Sequence, residues 1–147
     1  MQRNIEIKAR LRDRLNLLSK LKDIESQEIN QDDTFYESLE GRLKLRNFGN
    51  GTCELIWYNR ADEKGPKTSC YERLIVSEPK ILKSILNRSM KQLNRVKKVR
   101  TLYLIGQSRI HVDSVENLGD FLEIEVVLKP EQTLEECNTI MNELKIK

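Results

Sequence analysis

The chain opens on a two-residue alternation. In residues 4–10, NIEIKAR, Ile5, Ile7 and Ala9 fall on one side, with Asn4, Glu6, Lys8 and Arg10 on the other, which is the pattern of a strand with one apolar and one charged face. The period then changes. Leu15, Leu18 and Leu21, with Leu17 and Ile24, recur at helical spacing over 13–26, and Asp13 can cap that helix. An extended stretch over 28–38 leads to GRLKLRNF (41–48), where Leu43 and Leu45 alternate with Arg42, Lys44 and Arg46. Gly-Asn-Gly at 49–51 is a hairpin turn signal before the β-forming CELIWYNR. ADEKGPK (61–67) reads as a turn or short loop, and TSCYERLIV (68–76) as a strand. A helix is expected over 77–93, with Ser77 as N-cap and Pro79 in its first turn. Strands are expected over 96–106, 108–115 and 121–128, and a last helix over 133–145. Eight strand-like segments and three helices, the strands joined mostly by short turns, predict an α+β fold with antiparallel pairing. The regular spacing of short strands suits a barrel or a strongly curved sheet.

Composition adds little to this. The 147 residues fit one domain, 1–147, with a net charge of +3, too mild to indicate nucleic-acid binding. Cys53, Cys70 and Cys137 form no CxxC pair, so they are read as reduced thiols, with Cys53 and Cys70 as packing residues. With no apolar run near the ~20 residues of a membrane span and no secretory h-region, the expectation is a soluble protein of the cytoplasm.

The charged faces change the picture. Basic positions are Lys8, Arg10, Arg42, Lys44, Arg46 and Arg60, then Lys98, Arg100 and Arg109; acidic ones are Glu6, Asp113, Glu123 and Glu125. Such faces ordinarily meet solvent. Here, however, Asp113, Glu123 and Glu125 lie on neighbouring segments, and a barrel can bring Glu6 to them. Three amphipathic helices are also available to cover the apolar faces from outside, which turns the charged faces inward. Interior charges are costly unless paired or holding a ligand. A polyanion with a divalent cation satisfies them: carboxylates suit Mg²⁺ or Mn²⁺, and Arg and Lys suit phosphate oxygens. No Walker-type loop and no GxGxxG is present. The combination points to phosphate transfer or hydrolysis.

The motifs resemble those of the CYTH domain family, the class IV adenylyl cyclases and thiamine triphosphatases also called triphosphate tunnel metalloenzymes. Asn4-Ile5-Glu6-Ile7-Lys8 is similar to the family's ExExK strand, with Asn for the first Glu. GRLKLR supplies Lys44 and Arg46, Lys98 and Arg100 match a later basic pair, RIHVD supplies Asp113, and NLGDFLEIE supplies Glu123 and Glu125. The wording looks closest to adenylyl-cyclase-like members, and the resemblance covers nearly the whole chain. It implies an eight-stranded antiparallel β-tunnel with a charged interior, covered outside by about three helices. It implies Mg²⁺ or Mn²⁺ on Glu6, Asp113, Glu123 and Glu125. It implies triphosphate contacts from Lys8, Lys44, Arg46, Arg60, Lys98 and Arg100, with Arg109. Glu6, Lys8 and Asp113 are the expected catalytic residues. Asp113 is read as a metal ligand, as an orienter of the attacking water, or as an ion-pair partner of Arg100 or Arg109.

The sequence departs from the family pattern at Asn4, which removes a carboxylate, and at Tyr58, which stands where members often have Lys; Arg60 shares its face and is placed to substitute. TSCYERL shows no charged alternation, and no role is carried onto it. His111, the single His, is read as a structural hydrogen-bonder or substrate contact, and Trp57 and Tyr58 as packing residues. The expected function is metal-dependent hydrolysis of inorganic or nucleoside triphosphate. The runner-up is an adenylyl cyclase making cyclic AMP and pyrophosphate, and the competing class is a non-catalytic binder of polyphosphate, nucleotide or RNA 5′ ends. Expected partners are a triphosphate-containing small molecule, with nucleic acid only as a 5′-triphosphate substrate and no membrane; the chain is a monomer or homodimer.

Overall fold

A computed structural model describes residues 2–60, 67–133, 135–136 and 139–140. Eight strands follow in chain order: β1 Gln2–Arg10, β2 Ser26–Tyr36, β3 Arg42–Asn47, β4 Cys53–Arg60, β5 Lys67–Val76, β6 Gln92–Ile105, β7 Ser108–Val115 and β8 Gly119–Val127. Two helices interrupt them, α1 Arg14–Lys20 between β1 and β2 and α2 Pro79–Ser89 between β5 and β6. All pairings are antiparallel, and the sheet closes in the order β1-β5-β4-β3-β2-β6-β7-β8. The closing seam sets Glu6 opposite Glu125 and Lys8 opposite Glu123. The fold is therefore α+β, an antiparallel β-tunnel. No helix among the described residues is long and apolar enough to cross a membrane.

The apolar core lies outside the barrel wall. Leu21, Tyr103, Ile110 and Val112 form one cluster, into which α1 inserts Leu17 and Leu18. Tyr36, Leu45, Cys53 and Leu86 form another, with Leu82 of α2 against it. A third gathers Ile5, Ile124, Val126 and Leu128, with Ile140 packed on it. These clusters take much of the apolar side of the strands out of water, although Leu74 and Ile75 of β5 and Leu104 of β6 stay exposed, and the charged side of β1, β3, β6 and β8 lines the cavity. This inverts the usual small barrel, whose interior is filled with side chains.

Both helices are shorter than their periodicity. Asp13 does cap α1, its carboxylate accepting from the Asn16 N–H at 3.0 Å. The helix stops at Lys20, and a turn with Ile24 N–H donating to Leu21 O at 2.9 Å keeps Ile24 on the same apolar cluster. The apolar spacing thus outlasts the helix. The N-cap of α2 is Glu78, without a side-chain capping bond, rather than Ser77. Met90 ends α2 in extended backbone, and β6 begins at Gln92, so residues 92 and 93 are strand. Most of the expected C-terminal helix, Cys137 and the 61–66 turn lie outside the described residues. The turn entering β3 needs Gly41: its φ is +65°, and a Cβ there would meet Tyr58 O at 2.6 Å.

Candidate active site in the tunnel

The barrel encloses a cavity of about 540 Å³ with two chemically opposed walls. On one, β1 and β8 present Glu6, Glu123 and Glu125. Facing it, β3 presents Lys44 and Arg46, and β6 presents Lys98 and Arg100. Lys8, Arg60 and Arg109 line the same space. Arg10 continues the β1 alternation but sits at the rim, donating to Leu118 O at 3.1 Å.

Asp113 is placed differently from the other sequence-derived positions. It is fully buried and takes the Arg100 Nε and Nη2 hydrogen bonds at 2.8 and 2.9 Å, with Lys98 Nζ at 3.9 Å. The structure places Asp113 in an ion pair with Arg100. Burial alone would raise its carboxyl, but the Arg100 hydrogen bonds and charge hold it below the usual range.

The basic wall has a second anchor of the same design. Asp33 on β2 is buried and accepts from Arg46 Nε and Nη2, both at 2.8 Å, with Lys44 Nζ at 3.5 Å. Burial opposes its charge, yet Arg46 and Lys44 hold it at about 2. Crowding acts on the ammonium groups as well. Burial, then repulsion from Arg46, pushes Lys44 down to about 7; burial, then Arg100, pushes Lys98 down to about 8. A polyanion between them would relieve this strain.

The acidic wall carries the opposite tension. Burial and the Glu123 charge push Glu125 up to about 7, and the same two causes raise Glu6. Glu123 stays below the carboxylate range despite burial, because His111 and Arg100 flank it. Arg60 donates to Glu6 at 3.1 Å, and Arg109 stands 3.8 Å from Glu125. Like charges directly opposite in a sheet are destabilising, and two carboxylates paired across β1 and β8 call for a cation. One ligand atom from each of His111, Glu123 and Glu125 lies within 4.8 Å of the others, and His111 Nδ1 is buried without a hydrogen-bond partner. This oxygen-rich set with an unpartnered donor fits a divalent ion.

Several lining residues escape the sequence reading. Asp33 was hidden beside Asp32, which points outward to Arg95, so the charge of β2 could not be assigned to a face. Ser69, Tyr71 and Arg73 of β5 line the cavity without a charged alternation to betray them. Tyr58 lines it too, its ring 4.9 Å from Lys44 Nζ, whereas Trp57 points away and donates to Glu40 O at 3.0 Å. Asn4 also lines the cavity, 3% exposed, with its Oδ1 unpartnered.

A closed antiparallel barrel whose charged interior sets carboxylates against guanidinium and ammonium groups defines a tunnel-type domain. The CYTH domain model matches residues 2–147, and the chain belongs to that family. No curated protein matches the chain significantly by sequence. Among solved structures, the PH1012 protein of Pyrococcus horikoshii OT3 is similar, with a TM-score of 0.83 and 23% identity over 98% of this chain and 87% of that one. HpAC1 of Hippeastrum, an adenylyl-cyclase candidate described as having a dominant triphosphatase activity, gives 0.71 and 18% over 98% and 86%. The S. pombe Pct1 RNA triphosphatase gives 0.52 and 12% over 84% and 69%. At these identities the likeness is one of fold.

Proposed function

We propose that this protein hydrolyses a triphosphate, inorganic or nucleoside-linked, with Mg²⁺ or Mn²⁺ held by Glu123 and Glu125 and with Glu6 beside them on the same wall. The observation that carries this reading is the opposition of the two walls: carboxylates crowded enough to need a cation face ammonium and guanidinium groups crowded enough to need a polyanion, across one cavity. A metal-bridged polyphosphate satisfies both at once.

Roles follow from placement. Arg46 and Arg100 spend Nε and Nη2 on Asp33 and Asp113, so Nη1 of each is the edge offered to phosphate oxygens. Lys44 and Lys98 add point charges beside them. Asp113 serves by fixing Arg100, as a positioning residue rather than a metal ligand. Arg60 and Arg109 keep Glu6 and Glu125 oriented. Lys8, opposite Glu123 in register, neutralises charge at the terminal phosphate. Glu6, raised by burial and Glu123, is suited to accept the proton of the attacking water as its oxygen bonds to the terminal phosphorus and the bridging P–O bond breaks. When bound, the divalent ion supplies charge neutralisation and acidifies water.

The test is a product assay with Mg²⁺ or Mn²⁺ and either tripolyphosphate or ATP. Free phosphate is expected, and turnover should vanish when Glu123 and Glu125 are both replaced by Ala. Cyclic AMP with pyrophosphate would identify a cyclase instead, and tight binding with no product would identify a binder. Metal binding and turnover intact in the double variant would overturn the site assignment.

A further inference from the structure

The seam between β7 and β8 holds a nitrogen donor beside the carboxylates. His111 and Glu123 are direct register partners there, and Glu125 follows two residues along the same inward face. His111 is 4% exposed, and its Nδ1 is buried with no hydrogen-bond partner. Glu123 Oε1 stands 3.6 Å from that nitrogen, beyond hydrogen-bond length. A buried imidazole nitrogen facing a carboxylate just beyond hydrogen-bond length is under-satisfied until an ion or a slight approach joins the two. Donors about 2.1 Å from a shared metal stand about 3 Å apart when adjacent in an octahedron, so a small inward shift of either side chain would let one ion bridge them.

The geometry points to His111 as a third donor to the divalent ion, through Nδ1, completing a set of one imidazole and two carboxylates with Glu123 and Glu125. This rests on the metal-dependent reading above and sharpens it, because the donor set decides the metal. Glu6 is less available than its position opposite Glu125 implies, since Arg60 holds one of its oxygens. Lys8 faces Glu123 across the β1–β8 seam, and Arg109 stands beside Glu125, so the positive groups around the ion lie where an anionic substrate would share it. Imidazole suits the first-row transition ions, of which Mn²⁺ is the weakest binder and the one most at home among carboxylates, whereas Mg²⁺ favours oxygen donors throughout and keeps its waters. The site should therefore prefer Mn²⁺ to Mg²⁺ by more than a carboxylate-only site does.

The chain has a single His, which makes the test unambiguous in an untagged full-length protein. Loaded with Mn²⁺ and labelled with ¹⁵N-histidine, it should give a histidine-nitrogen coupling in pulsed electron paramagnetic resonance. His111→Gln should lose that coupling and bind Mn²⁺ about tenfold more weakly or worse, with a smaller change for Mg²⁺. Mn²⁺ bound without nitrogen coupling would overturn the inference while leaving the carboxylate site and the hydrolysis standing. Failure to bind any divalent ion, with no metal-dependent turnover, would overturn both. Should His111→Gln not fold, the wild-type spectrum alone decides.

Discussion

Lys44 and Arg46, and Lys98 and Arg100, are held by two buried aspartates, Asp33 and Asp113, and at the residue scale these are the points of greatest leverage. Asp113 is fully buried and Arg100 is 8% exposed, so the pair lives where removing one partner strands the other. Asp113→Asn should destabilise the protein by about 3–5 kcal/mol, read from urea unfolding, and should weaken triphosphate binding because Arg100 loses its orientation. A loss under about 1 kcal/mol would show that water satisfies Arg100 and that Asp113 is no anchor. Lys44, Arg46, Lys98 and Arg100 are legible in the sequence as alternations, because each has an apolar neighbour on the other face. Asp33 is not, because Asp32 and Asp33 are adjacent and only pairing to Arg95 and Arg46 separates them.

At the scale of elements, the strands are specified by period and turn chemistry, and the helices serve as lids for the outer apolar faces. Leu86 of α2 is 7% exposed within the cluster it shares with Tyr36 and Leu45, whereas Ile85 beside it is 53% exposed. Leu86→Ala should therefore cost about 2–5 kcal/mol, and Ile85→Ala should stay within about 0.5 kcal/mol, both by denaturant titration. Equal effects would mean that α2 does not seat on this cluster. Strand positions were legible because alternation is enforced at every residue. Helix ends were less so: Ile24 keeps contact with the α1 cluster from a turn, and Ser77 offered a cap that the chain does not use. Burial sets the spacing of apolar residues, and a turn can meet it as well as a helix.

The whole molecule is a barrel that places its charge inside and its hydrocarbon outside, and its pH response follows from that. Burial, with repulsion from Arg46 and Arg100, holds Lys44 at about 7 and Lys98 at about 8. Both lose their proton as pH rises through those values, so on the alkaline side the basic wall keeps only the charges of Arg46 and Arg100. Affinity of the metal-free protein for tripolyphosphate should fall between about pH 7 and 8.5, measured calorimetrically, and Lys44→Met should weaken binding below pH 7 and remove the lower step. Affinity that is flat over this range would mean that the two lysines do not meet the phosphates. The sequence by itself determined the strands, the two faces of each, the α+β class and the family, because periodicity and short motifs are local properties of the chain. The tertiary structure bore out the inward turn of the charged faces, and it alone decided that Asp113 pairs with Arg100 and that His111 stands with Glu123 and Glu125. Alternation separates two faces without saying which one meets water. That choice is made when β1 pairs with β8 and brings Glu6 and Lys8 opposite Glu125 and Glu123 from the far end of the chain.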